Sequence, residues 1–522
     1  MDAAQIAEPV TESLSQPGET EEEGRFLLVP HGYGSEGRTW VWVGDVEGAQ
    51  PVPTGERLWL RCEPVASEGA AVPLFESRCR DIPLQLERQA EGLRYTLLSV
   101  PTAAGCSYRL SLWQLSDTGA PVLLARARCQ GKPASLSQRF NLWFGTCFYR
   151  HTDHGALAEA FSGLPEAYRP DVSVLGGDQV YLDTAYANRG WVFTPGFGSA
   201  SFSPLVLRSE TKIRLKLGRI FSREYRKTWR GGLRQLLSAG QHYFLAGDHE
   251  FWNDYPNTPG FLPTLWSGKV RRIWRDCARQ LFDAYQLPDA KTCSRFDIGD
   301  ELSFFVLDTR LQRGRGRDSQ FTDAATLERL QQWLAGLRCP GVLVLPAPLL
   351  TRWQFRGARS LMVKLGLGDH TLADTGQYET LVRALNACPQ DVLIVAGDVH
   401  FSRLARFELN GKQVLEVVSS PLSCLPSAAA AANQHPDVFP DRPVAGVRAE
   451  VEYLRAGTTR PHKRSVISNN NFVTLSFTRA DTGVSVDVVC WNVNARNAQG
   501  QPAIDWECRD LLLRTHKNEK TL

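Results

Sequence analysis

Residues 172–183 read VSVLGGDQVYLD. A short apolar run, Val172-Ser173-Val174-Leu175, ends in two glycines and Asp178, and Tyr181 follows three positions later. Such a run bounded by glycine is the pattern of a buried strand. Gly-Asp directly after it is a tight turn. If that turn is helical, Tyr181 and Asp178 share a side. The same ending recurs as Gly247-Asp248 in QHYFLAGDHE (241–250) and as Gly397-Asp398 in DVLIVAGDVH (391–400), with His249 and His400 alongside. In open α/β sheets the loops at the carboxyl ends of strands build the site. Several carboxylates gathered there repel one another, and a multivalent cation is the natural compensation.

Working outward, strands alternate with helical stretches on both sides of this motif. FNLWFGTCF (140–148), LSFFVLDTR (302–310) and GVLVLPAPLL (341–350) read as strands. GALAEAFSGL (155–164) and ATLERLQQWLAGL (325–337) carry apolar residues at helical spacing. RFELNGKQVLEVVSS (406–420) predicts a hairpin on Asn410-Gly411, and NFVTLSFTRADTGVSVDVVCWN (471–492) another at Asp481-Thr482-Gly483. Residues 25–135 differ. Short runs such as ERLWLRCEPV (56–65) and CSYRLSLWQL (106–115), punctuated by glycine and proline, predict an all-β sandwich. Cys129 to Pro133 reads as its linker. Residues 1–24 read as a disordered acidic tail and 136–522 as the second domain. A strongly basic insertion at 205–237 is either a solvated helical hairpin or a cap that attracts anionic substrate.

Bulk properties narrow little. A chain of 522 residues exceeds one ordinary core. A net charge of +3 does not argue for a nucleic-acid partner, and no apolar run is long enough for a membrane helix. No signal-peptide pattern opens the sequence, so a cytoplasmic location is expected. The 12 cysteines include no C-x-x-C and are expected to be mostly reduced and buried. Trp229 and Trp252 are expected in the core.

The donor types narrow the metal. Asp178 can bridge two ions. Tyr181 offers a phenolate, Cys147 a thiolate, and His400 an imidazole; together with a carboxylate these favour a trivalent ion. Asp248, Asn253 and Asp398 offer oxygen to a harder divalent ion.

GDQVY, GDHE…N and GDVH, in this order, resemble the metallophosphoesterase superfamily. The Cys147 strand and the Gly-Asp-x-x-Tyr form are similar to its PhoD-like, or alkaline phosphatase D, family. CFYRHTDHG (147–155), LDTR (307–310) and VSSPLS (418–423) agree. The resemblance spans about residues 140 to 490, with the β-sandwich ahead of it. It implies a four-layer α/β/β/α core. It also implies a ferric ion at Cys147, Asp178, Tyr181 and His400, and a divalent ion, calcium before manganese or magnesium, at Asp178, Asn253 and Asp398. The chain departs from the superfamily at Gly247-Asp248-His249, where Gly-Asn-His is usual. Either Asp248 or Asn253 takes that asparagine's role. The usual Asp-x-His opening is replaced by Thr146 and Cys147, and VLPAPLL (344–350) lacks a histidine that some relatives carry.

The implied activity is hydrolysis of a small phosphate ester, monoester or diester, by a metal-activated hydroxide. His249 would protonate the leaving group or stabilise the transition state, and Arg310 would clamp the phosphate. Each has a plainer structural reading: His249 a loop cap, Arg310 an ion-pair arginine, Cys147 and Tyr181 core residues. Asp153 reads as a helix N-cap, with His151 and His154 structural. The alternative function is a phospholigand-binding protein on a degenerate phosphoesterase scaffold. A single-strand nuclease is a special case of the hydrolase. Oligomeric state is not legible.

Overall fold

The fold is organised by two sheets whose apolar faces meet, as seen in a computed structural model. It describes residues 24–34, 37–47, 58–65, 80–115, 119–187, 207–259, 262–289, 291–316, 318–353, 365–366, 370–423, 435–455 and 469–517. The acidic tail therefore lies outside the described residues, apart from Gly24, as do positions 205 and 206 of the basic insertion.

The first sheet runs, in spatial order, Gln241–Phe244, Val172–Leu175, Phe140–Gly145, Asn471–Ala480, Gly483–Arg496, Pro502–Arg514. Its first three strands are parallel and the rest antiparallel. The second runs Cys293–Ile298, Leu302–Leu307, Gly341–Val344, Val392–Ala396, Lys412–Val418, Arg403–Leu409, Glu452–Arg455. Four adjacent strands in it, from Leu302–Leu307 to Lys412–Val418, are parallel.

Period-two alternation sets the layers. Leu142, Phe144, Val172 and Val174 of one sheet meet Phe304, Val306, Val342, Leu393 and Val395 of the other in one buried cluster. The intervening residues face outward. Trp143 and Leu175 pack under helices Ala156–Ser162, Glu210–Arg230 and Gly268–Tyr285. Phe305, Leu343 and Ile394 pack under helices Ala324–Ala335 and Tyr378–Asn386. The result is the expected α/β/β/α stack. A one-residue slip in any strand would turn its whole set to the wrong face, so the register is strongly specified.

Both predicted hairpins form. Asn410 and Gly411 take φ of 49° and 73°, the left-handed pair a two-residue turn needs. Strands Asn471–Ala480 and Gly483–Arg496 pair across Asp481-Thr482. Asp153 closes a short helical turn, and its carboxylate accepts the N–H groups of Gly155 and Leu157, capping the next helix. Trp229 and Trp252 are buried.

Ahead of the core lies the sandwich. Sheets containing Phe26–Tyr33, Arg38–Asp45 and Leu93–Pro101 on one side, and Leu58–Val65, Ser107–Leu115 and Pro121–Gln130 on the other, enclose their own apolar cluster. It is not held by a linker alone. Trp42, Leu27 and Val29 face the other way, into the helical layer of the core. Trp42 Nε1 donates to Ala284 O at 2.9 Å, and Cys129 and Gln130, expected in the linker, end a strand. The basic segment is a long helix, Glu210–Arg230, followed by a short one, Arg234–Leu237, and both are packed on the core rather than standing in solvent. Its Ile213, Leu217, Phe221, Tyr225 and Trp229 are buried. No helix among the described residues is long and apolar enough to cross a membrane.

Among the described residues, one ion pair is wholly inside. Arg403 meets Glu416, both 0% exposed, and Glu416 also accepts Leu349 N and Leu350 N at 2.8 and 2.9 Å. Breaking a buried pair from one side strands the other charge. Arg403→Met is therefore expected to cost about 3–5 kcal/mol in urea unfolding, whereas Arg406→Met, at an exposed pair with Glu452, is expected to cost under about 1 kcal/mol.

Candidate metal centre

The parallel strands of both sheets deliver their carboxyl ends to one place. Phe140–Gly145 leads into Thr146 and Cys147, Val172–Leu175 into Asp178, Gln241–Phe244 into Asp248, and Val392–Ala396 into Asp398 and His400. The two sheets are tied together there. Asp398 N donates to Thr146 Oγ1 at 3.1 Å, Ser423 N to Cys147 O at 3.2 Å, and Ala246 N to Asp308 Oδ2 at 2.6 Å.

Backbone conformation marks the same residues. Cys147, Asp178, Asp398 and His400 all have positive φ, at 60°, 59°, 70° and 56°. A left-handed non-glycine residue is strained by roughly 1–2 kcal/mol, and such residues gather where function requires them. The glycines beside them permit close approach. Gly177 has φ +122°, and a Cβ there would lie 2.7 Å from Gly247 N; a Cβ on Gly247 would lie 2.0 Å from Asp178 Oδ1. The two Gly-Asp turns are packed backbone to carboxylate.

Asp178 is the hub. Cys147 Sγ lies 3.6 Å and Tyr181 Oη 3.5 Å from the same oxygen, Oδ2, while His249 N donates to Oδ1 at 3.0 Å. Two sets of metal-type donors, each within 4.8 Å of one another, share it: Cys147, Asp178 and Asp398, and Asp178, Asp248 and His249. Asp398 thus stands with Cys147, and Asp248 supplies the second set. His400 belongs to neither set among the described residues; its N–H donates to Ser420 Oγ at 3.2 Å, and that hydroxyl donates to Cys147 Sγ at 3.3 Å. Asn253 adjoins the site through its backbone, which donates to Asp183 Oδ2 at 3.0 Å.

Two groups beyond those expected shape the centre. Glu250, fully buried, accepts four backbone N–H groups, from Asp178, Gln179, Val180 and Gly247, and so holds both Gly-Asp turns. Asp183 sits 2.9 and 3.0 Å from His249 Nδ1, whose ring stacks on Tyr181 at 4.2 Å. Both lie inside the motifs quoted from the sequence, but spacing alone does not show that Glu250 reaches back across 72 residues to Asp178. Arg310 is buried. Nη2 donates to Asp398 Oδ2 at 2.8 Å and Nη1 to Tyr255 O at 3.0 Å, so part of its fork is committed to the protein.

The electrostatics follow from crowding without water. Burial, reinforced by Asp248, pushes the Asp178 carboxyl up to about 7. Burial also lifts the Cys147 thiol far above its usual range, helped by Asp178 and Asp398. Burial raises Glu250 to about 7 against the pull of its N–H donors. For Asp248 burial acts upward too, but His249 and Arg310 outweigh it and hold the carboxyl below its usual value. Burial would deprotonate His249; Asp183, Asp248 and Asp178 together overcome it and hold the imidazolium well above its usual range. The Cys147 thiol and the Asp178 carboxyl, side by side, both favour their protonated forms. A cation replacing those protons fits the donor set.

No protein-family profile matches the sequence, and no curated protein matches it. Among solved structures the chain is similar to PhoD over 97% of this chain and 95% of that one, at 13% identity and a TM-score of 0.59. It is also similar to the purple acid phosphatase PPD1 from yellow lupin (Lupinus luteus) seeds, over 91% of this chain and 73% of that one, at 11% identity and a TM-score of 0.51. The expected architecture, an α/β/β/α core preceded by a β-sandwich, is the one the chain adopts, and its fold is similar to those of both structures.

Removing the Glu250 carboxylate orphans four buried donors. Glu250→Ala is expected to lower unfolding free energy by at least about 2 kcal/mol, with Glu250→Gln, which keeps one acceptor oxygen, falling between it and the wild type in the same urea titration.

Proposed function

We propose that this chain is a metal-dependent phosphate-ester hydrolase. The observation that supports it most is the sharing of Asp178 by two donor sets at the carboxyl ends of the parallel strands, in the fold of PhoD and a purple acid phosphatase. Cys147, Asp178 and Tyr181 would hold a ferric ion, with His400 approaching from the Asp398 loop. Asp178, Asp248 and Asn253 would hold a divalent ion, calcium before manganese or magnesium. Bound there, the ions would supply Lewis acidity: a water acidified to nucleophilic strength and relief of phosphoryl charge.

The chain's own residues account for the rest. Asp183 engages His249 Nδ1, which leaves Nε2 as the ring nitrogen to face a substrate. Three carboxylates favour the protonated ring, so His249 is placed to give a proton to the leaving oxygen. Asp183 is its positioning residue. Arg310 orients Asp398 and balances its charge. Ser420 fixes the Cys147 sulfur and the His400 backbone together.

The test begins with the purified protein's metal content and visible spectrum. About one iron per chain with a charge-transfer band, lost in Cys147→Ser and Tyr181→Phe, is expected. Turnover of p-nitrophenyl phosphate or bis-p-nitrophenyl phosphate, abolished by Asp178→Asn, is expected with it. Bound metal without turnover of either ester would reduce the chain to a phospholigand-binding protein, and absence of both would overturn the proposal.

His249 gives a sharper check. His249→Gln is expected to lower kcat by about 10²–10⁴ on an alkyl phosphate ester, whose leaving group needs a proton. The loss on p-nitrophenyl esters is expected to be much smaller. Equal losses on both would remove the acid role.

A further inference from the structure

Helix Glu210–Arg230 buries one side against the core, as described, and presents a different chemistry on the other. Lys212, Lys216, Arg219, Arg223, Lys227 and Arg230 are exposed. Their spacings of 4, 3, 4, 4 and 3 residues keep them in one straight line along a helix of 3.6 residues per turn. The line is about 27 Å long, with a cation every ~5–6 Å. Carboxylates lie at its margins: Glu47 pairs with Arg230, Glu210 with Arg272, and Asp276 with Arg214. Glu224 points inward.

One end of this line is joined to the metal centre. Glu224 holds Arg150 through both oxygens, at 2.5 and 2.8 Å, and lies 3.9 Å from His151. Lys227 is near enough to disfavour the protonated form of His151. Just past the helix, a Cβ on Gly232 would lie 2.4 Å from the Phe148 ring. Arg150 and His151 belong to the loop that begins at Cys147. On that loop Tyr149, half-buried, packs 5.1 Å from Tyr181 and 5.2 Å from the exposed His151.

We propose that this face is a docking track for single-stranded nucleic acid, leading to the metal centre. The geometry of each part suits that ligand. A stacked strand carries a phosphate every ~3.4 Å, so the line offers a cation for each one or two phosphates. A flexible single strand can follow a straight row that a folded anionic protein cannot match in charge density. Tyr149 and His151, at the end of the row, offer ring faces on which a base stacks without sequence preference. The overall charge of +3 conceals this feature because the cations are concentrated on one helix. The role of the track as a substrate guide rests on the hydrolase proposal above; the binding surface itself does not.

The test reads binding without turnover, so it is separable from the fate of the hydrolase proposal. Fluorescence anisotropy would follow a 5′-labelled oligodeoxythymidylate of 20 nucleotides across a salt series, with metal chelated. For a single strand the slope of log K against log salt is about −0.7 per phosphate neutralised. With Arg230 engaged by Glu47, the five other cations of the row predict a slope of about −3.5, and Lys212→Glu/Lys216→Glu/Arg219→Glu a slope shallower by about 2. The variant should keep the wild-type circular dichroism and melting temperature; if it does not, the corresponding triple glutamine variant replaces it. No binding at low salt, or binding that the variant leaves unchanged, would overturn the proposal. So would preference for vesicles with anionic headgroups over the oligonucleotide, since Leu215, 53% exposed beside the row, offers an apolar contact that such a surface would use.

Discussion

Everything in the centre depends on keeping one buried carboxylate, Asp178, in contact with two other strand ends and with the turn that follows its own. Its Oδ2 faces Cys147 and Tyr181, and its Oδ1 is held by the backbone of His249. That crowding explains the glycines, which leave no room for a side chain between the two Gly-Asp turns. It explains Glu250, which satisfies four N–H groups that the turns leave exposed to an apolar interior. It also creates the electrostatic tension that a cation relieves, because burial and neighbouring carboxylates disfavour the charged form of Asp178 itself.

The strain of four left-handed residues is borne by the two sheets. Neither sheet alone brings Cys147 to Asp398, since one belongs to the first sheet and the other to the second. Thr146 closes that gap: its hydroxyl accepts Asp398 N and its carbonyl accepts Leu422 N. The interdigitated apolar layer beneath, where each buried side chain is worth roughly 1.5–3 kcal/mol, makes those loops costly to separate.

The sandwich and the long helix extend the same logic outward. Strand Gln241–Phe244 lies at an edge of the first sheet, an exposed position that proteins usually cover. Here the sandwich covers it. Tyr33 N donates to Tyr243 Oη at 3.0 Å, and His242 Nδ1 lies 3.1 Å from Pro30 O. The edge strand that presents Asp248 is therefore fixed by residues more than 200 positions earlier. The long helix, pinned through Glu224 to Arg150, does the same for the Cys147 loop from the other side.

The amino-acid sequence by itself determined the strand ends, the layer periodicity and the donor residues. A repeated Gly-Asp after an apolar run, and alternation that separates Phe304 from Phe305 into opposite layers, are local signals that need no partner to be read. It did not determine which donors meet. Asp398 joins Cys147, Asp183 rather than solvent engages His249, and Arg310 takes Asp398, because sheet order and the stacking of the two sheets decide distances between residues far apart in the chain. The basic segment divides the same way. Its charge and helical spacing are local, whereas its burial along one side and its tether at Arg150 exist only once the core beneath it has formed.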